Sequence, residues 1–231
     1  MAILVLFLQA KFGMNGKEAG FIYSTFYFSI YILALVGGII ADRTRNYKGT
    51  ILTGIVLMAV GYLLLAIPSP TPVSDRTFYL VITCASLFVI ALFKGNLQAL
   101  VGQMYDNPQY ANMRDSGFSL FYMFINIGAI FAPFAAVGVR NWWLSTFGYS
   151  YNADLPALCH GQLAGTLTPE ATETYHTLVT NASSAPVQDY TAFASDYLNV
   201  FTTGFHYAFG VAIIAMAVSL TIYLLNKKSF P

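Results

Sequence analysis

The sequence predicts an all-α membrane protein with about six membrane-crossing segments, the first of them short. Composition is the first reason: 57% of the residues are hydrophobic, 9% are charged, and the mean hydropathy is +0.61. Soluble domains carry about 25% charged side chains, and a water-facing surface around one core would need more charge than this chain has. The second reason is that charges are absent from runs long enough to cross a hydrocarbon core of about 30 Å at about 1.5 Å per residue. The third is punctuation, because basic turns and proline clusters separate those runs.

Met1 to Ala10 is apolar but reaches only about 15 Å as a helix. No basic residue precedes it, as a signal peptide would require, so it reads as part of a truncated helix. Lys11 to Glu18 reads as a loop, and Ala19 to Ala41 is a charge-free crossing. A basic turn over Asp42 to Gly49 carries Arg43, Arg45 and Lys48. Thr50 to Ile67 is the next span, stopped by Pro68, Pro70 and Pro72. Thr77 to about Gly102 follows, interrupted by Lys94, then a polar turn from Gln103 to Asp115. Ser116 to Val139 crosses again, and Gly204 to Leu225 is the last crossing, ended by Lys227 and Lys228.

Arg140 to Thr203 differs in composition and holds Asp154, Glu170, Glu173, Asp189 and Asp196. It reads as an extended external loop or small cap, with a short helix over Glu170 to Thr180 after Pro169. The domain reading is therefore 1–139 for the first, partial helix to the fifth, 140–203 for the cap, and 204–231 for the sixth helix and a basic tail. Asn181-Ala-Ser matches a glycosylation acceptor, a pattern that is common by chance.

A net charge of +1 gives no electrostatic pull toward nucleic acid. The sequence has no Walker or Rossmann glycine pattern, nucleophile elbow or spaced metal-ligand cluster. It predicts neither an enzyme nor a cofactor. Cys84 and Cys159 are too few for a disulfide framework.

Several side chains are candidates for chemistry. Lys94 is about 12 Å from the nearer end of its span. It either snorkels to the interface or faces a polar cavity inside the bundle, where intramembrane charges do work. Ser119, Tyr122, Asn126 and Pro133 share one helix face, as interhelical hydrogen bonds or as ligand contacts. Tyr27 and Tyr31 are one turn apart, either as packing and interface residues or as a deeper binding pair. Gly37, Gly38, Asp42 and Arg43 fit a close-packed hairpin end or an ordinary basic turn. His206 reads as structural.

These motifs carry a resemblance. Phe118-Ser-Leu-Phe-Tyr-Met-Phe-Ile-Asn-Ile-Gly-Ala129 resembles the fifth-helix signature F-S-x-F-Y-x-x-I-N-x-G of the proton-dependent oligopeptide transporters. That family is a branch of the major facilitator superfamily. Phe93-Lys-Gly-Asn96 resembles its fourth-helix motif, and Gly38-Ile-Ile-Ala-Asp-Arg43 the loop between helices two and three. Gly204-Phe-His-Tyr-Ala-Phe-Gly210 is similar to the opening of helix six. The resemblance implies a partial major facilitator fold and proton-coupled symport of di- and tripeptides. It assigns Lys94 to proton coupling and the peptide carboxylate. It assigns Asn126 and Tyr31 to substrate binding, with Tyr27 and Tyr122 beside them. Gly38, Asp42 and Arg43 become a conformational lock.

The family also implies an E-x-x-E-R-F-x-Y-Y motif ahead of a segment like Met1 to Gln9, and a second six-helix half. The reading is thus of an N-terminal half whose partners are protons, small peptides, the lipid bilayer and a C-terminal transporter half. By itself it would lack coupled transport. Alternatives are a facilitator for another small solute, or a membrane interaction fragment that does not transport. The expected location is the bacterial inner membrane.

Placing Arg43, Arg45, Lys48, Arg114, Lys227 and Lys228 inside leaves Lys11, Lys17, Arg76 and Arg140 outside, which puts the C-terminal tail in the cytoplasm. Reporter fusions after Lys48 and Ala111 should therefore report inside, and fusions after Ser74 and Ser184 outside. The reverse pattern would overturn the orientation.

Overall fold

The computed structural model describes residues 3–44, 47–69, 76–92, 101–102, 104–105 and 108–226. Its elements are α1 (Leu4–Phe12), α2 (Gly16–Thr44), α3 (Tyr47–Ala66), α4 (Arg76–Leu92), α5 (Arg114–Thr146), α6 (Leu155–Ala164), α7 (Pro169–Ala182) and α8 (Tyr190–Asn226). A 3-10 turn over Ala111–Met113 leads into α5. Stretches over Gly16–Ile40, Lys48–Ala66, Ala111–Thr146 and Tyr190–Asn226 are long and apolar enough to span a membrane, and Arg76–Ile90 is a shorter apolar helix. The chain is an all-α, multi-pass membrane protein.

Two compact units divide the chain. The first comprises residues 1–23, 66–81 and 135–209. Its core is an aromatic column on α8, where Phe193, Tyr197, Phe201, Phe205 and Phe209 recur one turn apart and are all buried. Consecutive centroids from Phe193 to Phe205 lie 5.3 to 5.5 Å apart, the spacing of interacting aromatic pairs. Phe7 of α1 meets Phe205 at 6.2 Å and Phe209 edge-on at 5.3 Å. The His206 ring stands edge-on to Phe7 at 5.2 Å. Short as it is, α1 is fixed by burying Leu4, Phe7, Leu8 and Phe12.

Helix ends in this unit follow local chemistry. Gly13 terminates α1 at φ 61°, a left-handed conformation that glycine adopts without cost. Asn15 starts α2 through a reciprocal cap: its Oδ1 accepts from the Lys17 and Glu18 amides, while Glu18 accepts from the Asn15 amide. The expected loop over Lys11 to Glu18 thus shrinks to Gly13, Met14 and Asn15.

The segment over 140–203 is largely helical, and neither of its expected boundaries is a helix end. α5 runs through Arg140 to Thr146, and α8 starts at Tyr190. Polarity rises at these points while the helices continue. Arg140 is 3% exposed. Its guanidinium carbon lies 3.7 Å from the Tyr151 ring centroid and 5.3 Å from that of Phe205, and it donates to Asn141 Oδ1. The charge is thereby sheltered by aromatic faces. Tyr149 donates to Asp196 at 2.5 Å; burial, then that carboxylate, push its phenol pKa up.

The helix expected over Glu170 to Thr180 is α7, with Thr168 accepting from the Ala171 amide and Pro169 in the first turn. An isolated antiparallel bridge pairs Tyr149 with Ser183. α6 packs on both α1 and α7. Both cysteines are free thiols; burial pushes Cys159 up to about 12, so it is an inert core side chain.

The second unit comprises residues 24–65, 82–134 and 210–231. Tyr223 donates to the Lys48 carbonyl at 2.8 Å and packs with Ile55, Leu52 and Leu220. Gly61 admits a neighbouring helix: a Cβ there would come within 2.7 Å of Ile90 and 2.9 Å of the Ser86 carbonyl. Much of the remaining apolar surface is open, with Phe28, Phe131 and Phe134 each more than 65% exposed. Lipid is the solvent that accepts such a surface.

His160 joins α6 to the end of α1. Its Nε2 is 2.7 Å from the Ala10 carbonyl, and its ring lies 3.2 Å from the Cβ position of Gly13. Burial lowers its pKa most; the Ala10 bond opposes that, and the Arg76 charge adds to it. The folded form therefore binds fewer protons than the unfolded one as pH falls below about 6.5. Stability is fully present above that pH and is lost as pH drops toward the lowered value. Thermal unfolding of wild type should worsen from pH 7 to 5 more than that of His160→Gln, which keeps a donor and cannot titrate. Parallel pH profiles would count against this.

Candidate functional site

The candidate binding residues fall in the second unit, on two helices whose apolar character leaves few polar groups to notice. On α2, Tyr27 and Tyr31 lie one turn apart and are 38% and 72% exposed. On α5, Tyr122 is 47% exposed and Asn126, one turn further, is also exposed. Their spacing puts each pair on a common face. None of the α5 span window is buried, and Pro133 within it has no amide to donate, so the helix runs on with one backbone bond fewer. Ser119, on the same stripe, bonds back to the Asp115 carbonyl at 2.9 Å.

Tyr31 and Asn126 make no side-chain hydrogen bond among the described residues. A phenol and a carboxamide together offer donors and acceptors on surfaces that are otherwise hydrocarbon. Among the described residues no three His, Cys, Asp or Glu side chains converge as a metal site would need.

Lys94 lies outside the described residues, together with Phe93 and Asn96. The Asp42 side chain lies outside them too. Arg43 is exposed near the end of α2. Among the described residues nothing lies within 4 Å of a built Cβ at Gly38 or Gly128, so neither makes a tight helix contact with them. The residue with that role is Gly61, which sequence reading passed over. Its signal was a glycine in the middle of a span, seven residues after Gly54 and without the four-residue spacing that marks a close-packing motif.

Comparison with known proteins adds a separate line of observation. The sequence profile of the POT family matches residues 48–231. A di-/tripeptide transporter of Lactobacillus helveticus is 32% identical over 139 residues, covering 57% of this chain and 26% of that protein. A peptide transporter of Yersinia enterocolitica is 32% identical over 157 residues, 64% of this chain and 28% of its own length. A protein of Bacillus subtilis described as an uncharacterized transporter is 30% identical over 175 residues, 71% of this chain and 32% of its own. The matched region thus spans roughly a quarter to a third of each relative. No solved structure matches.

Exposure makes the site residues separable from the packing residues. Tyr31→Phe and Asn126→Ala should each change unfolding stability by less than about 0.5 kcal/mol, as surface substitutions do. Gly61→Val should cost about 1–3 kcal/mol, because Ile90 and the Ser86 backbone must move. Denaturant titration of the purified variants checks the ranking, and an Asn126→Ala variant as damaged as Gly61→Val would contradict it.

Proposed function

The chain belongs to the POT family, and from that membership we propose that its full-length parent carries di- and tripeptides across a membrane together with protons. The observation that carries the proposal is the run from Phe118 to Ala129, where a family-like signature coincides with an exposed Tyr122 and Asn126 on one face of α5. Names of two relatives, as peptide and di-/tripeptide transporters, point to the same substrate class.

In this proposal Asn126 and Tyr31 hydrogen-bond the peptide backbone, Tyr27 and Tyr122 flank it, and Lys94 meets its carboxylate and responds to the transported proton. A lysine sheltered from lipid holds its proton only while a counter-charge is near. Binding of carboxylate or loss of proton therefore changes which outward- or inward-facing state is favoured. Gly38, Asp42 and Arg43 form a contact that is made in one state and released in the other. Residues 1–139 supply helices one to five of a facilitator-type bundle, 204–231 the sixth, and 140–203 a cap on the outer side. The membrane is the bacterial inner membrane, with the C-terminal tail in the cytoplasm. Substrate would sit between this bundle and a second transporter half.

Reconstitution of the full-length parent in liposomes tests the proposal. Labelled dipeptide should accumulate when the outside is made acidic and should fall to background without the gradient. Lys94→Ala, compared at equal abundance, should reduce proton-driven uptake by at least about tenfold, the loss of roughly 1.4 kcal/mol of coupling. Uptake indifferent to pH would remove the symport mechanism, and wild-type uptake by Lys94→Ala would remove the role of that lysine.

A further inference from the structure

The first unit contains a cleft of about 510 Å³ bordered by α1, the start of α6, α7 and α8. That size falls within the range of small-molecule sites. Leu6, Met14, Leu178 and Phe201 make its walls apolar, and Gln9 and Asp154 add polar groups. Neither polar side chain is committed elsewhere. Asp154 is the residue before α6, yet its carboxylate forms no cap bond; only its backbone is used, the amide donating to Asn152 Oδ1 at 2.9 Å and the carbonyl accepting from the Leu158 amide at 3.4 Å. The Gln9 amide makes no hydrogen bond among the described residues. Among the described residues no Lys, Arg or His lines the cleft, and none pairs with the carboxylate.

An acceptor-only carboxylate, an amide that both donates and accepts, and apolar walls define a narrow ligand class. Anions are repelled by Asp154, and small polar solutes gain nothing from the walls. We propose that this cleft binds a primary ammonium attached to an apolar body, with Asp154 taking the ammonium and Gln9 the adjoining carbonyl. The apolar side chain then lies against Leu178 and Phe201. A short peptide with a free amino terminus and a hydrophobic first residue is the member of that class suggested by the transport reading, on which this last step rests. The cleft would hold such a peptide on the cap, apart from the candidate residues of α2 and α5.

Calorimetric titration of the purified 231-residue chain in lipid nanodiscs tests this with leucinamide, Leu-Leu and N-acetyl-Leu-Leu, at a pH that keeps the amines protonated. Leucinamide and Leu-Leu should bind saturably. Asp154→Asn should weaken both about fivefold, the size of a partly exposed ion pair, and added salt should do the same. N-acetylation should cost as much, and Leu178→Trp should block the cleft. Because the Asp154 carboxylate makes no hydrogen bond or ion pair among the described residues, the Asp154→Asn protein should melt like wild type. Equal affinities for Asp154→Asn and wild type, or for Leu-Leu and its acetylated form, would overturn the proposal. Loss of Leu-Leu binding in Asn126→Ala but not in Asp154→Asn would overturn it while leaving the transport reading intact. Leucinamide binding that depends on Asp154, without Leu-Leu binding, would support the cleft and count against the peptide reading alone.

Discussion

The aromatic column of α8 is the constraint on which the first unit rests. Phe193, Tyr197, Phe201, Phe205 and Phe209 form a continuous buried ridge because four residues nearly complete a helical turn. Each large ring buried from water contributes about 1.5–3 kcal/mol before entropy is counted. A nine-residue α1 could not persist alone in water; Phe7 lodged against that ridge supplies what its length does not. Arg140 depends on the same surface, since Phe205 and Tyr151 provide the faces that shelter its charge. Tyr197 extends the column into polar territory, accepting from the Asn152 amide and donating to the Ser150 carbonyl. One helix face thus fixes α1 and the chain leading into α6.

The second unit follows a different physical economy. Its interior contacts are few among the described residues, and its helices show much of their apolar surface. Helices in lipid need no such core, because every backbone bond is closed within the helix and the hydrocarbon outside is as apolar as leucine. Specific contacts matter more there than buried area. Tyr223 closing on the Lys48 carbonyl and Gly61 admitting Ile90 are contacts of that kind. An exposed amide such as Asn126 then stands out as a polar group on a surface that is otherwise mostly hydrocarbon.

Taken together, the units suggest a division of labour between holding and handling. Tight, mixed-polarity packing builds the first unit and holds α1 within it. Sparse, lipid-compatible helices carry the polar residues proposed for transport, and sparse packing is the condition under which helices change partners. The POT relationship gives that arrangement a chemical purpose in the proposed transport of peptides.

Sequence alone determined the membrane class, because the cost of charge in hydrocarbon writes the spans directly into composition; Ala19 to Ala41 and Thr50 to Ile67 were legible on that ground. It also made the fifth-helix signature and the Tyr27–Tyr31 and Tyr122–Asn126 faces visible, since spacing along a helix is a local property. Pro169 likewise announced α7 through the chemistry of a helix start, and the structure added the Thr168 cap. Tertiary structure decided what happened at 140–203. Polar residues there looked like a helix stop, yet α5 continues to Thr146 and α8 begins at Tyr190 because Tyr151, Phe205 and Tyr149 accommodate Arg140 and Asp196 from the side. The same holds for Gly61 and for the cleft around Gln9 and Asp154: each is defined by neighbours distant in sequence, and a one-dimensional pattern records composition and periodicity, not which surfaces meet.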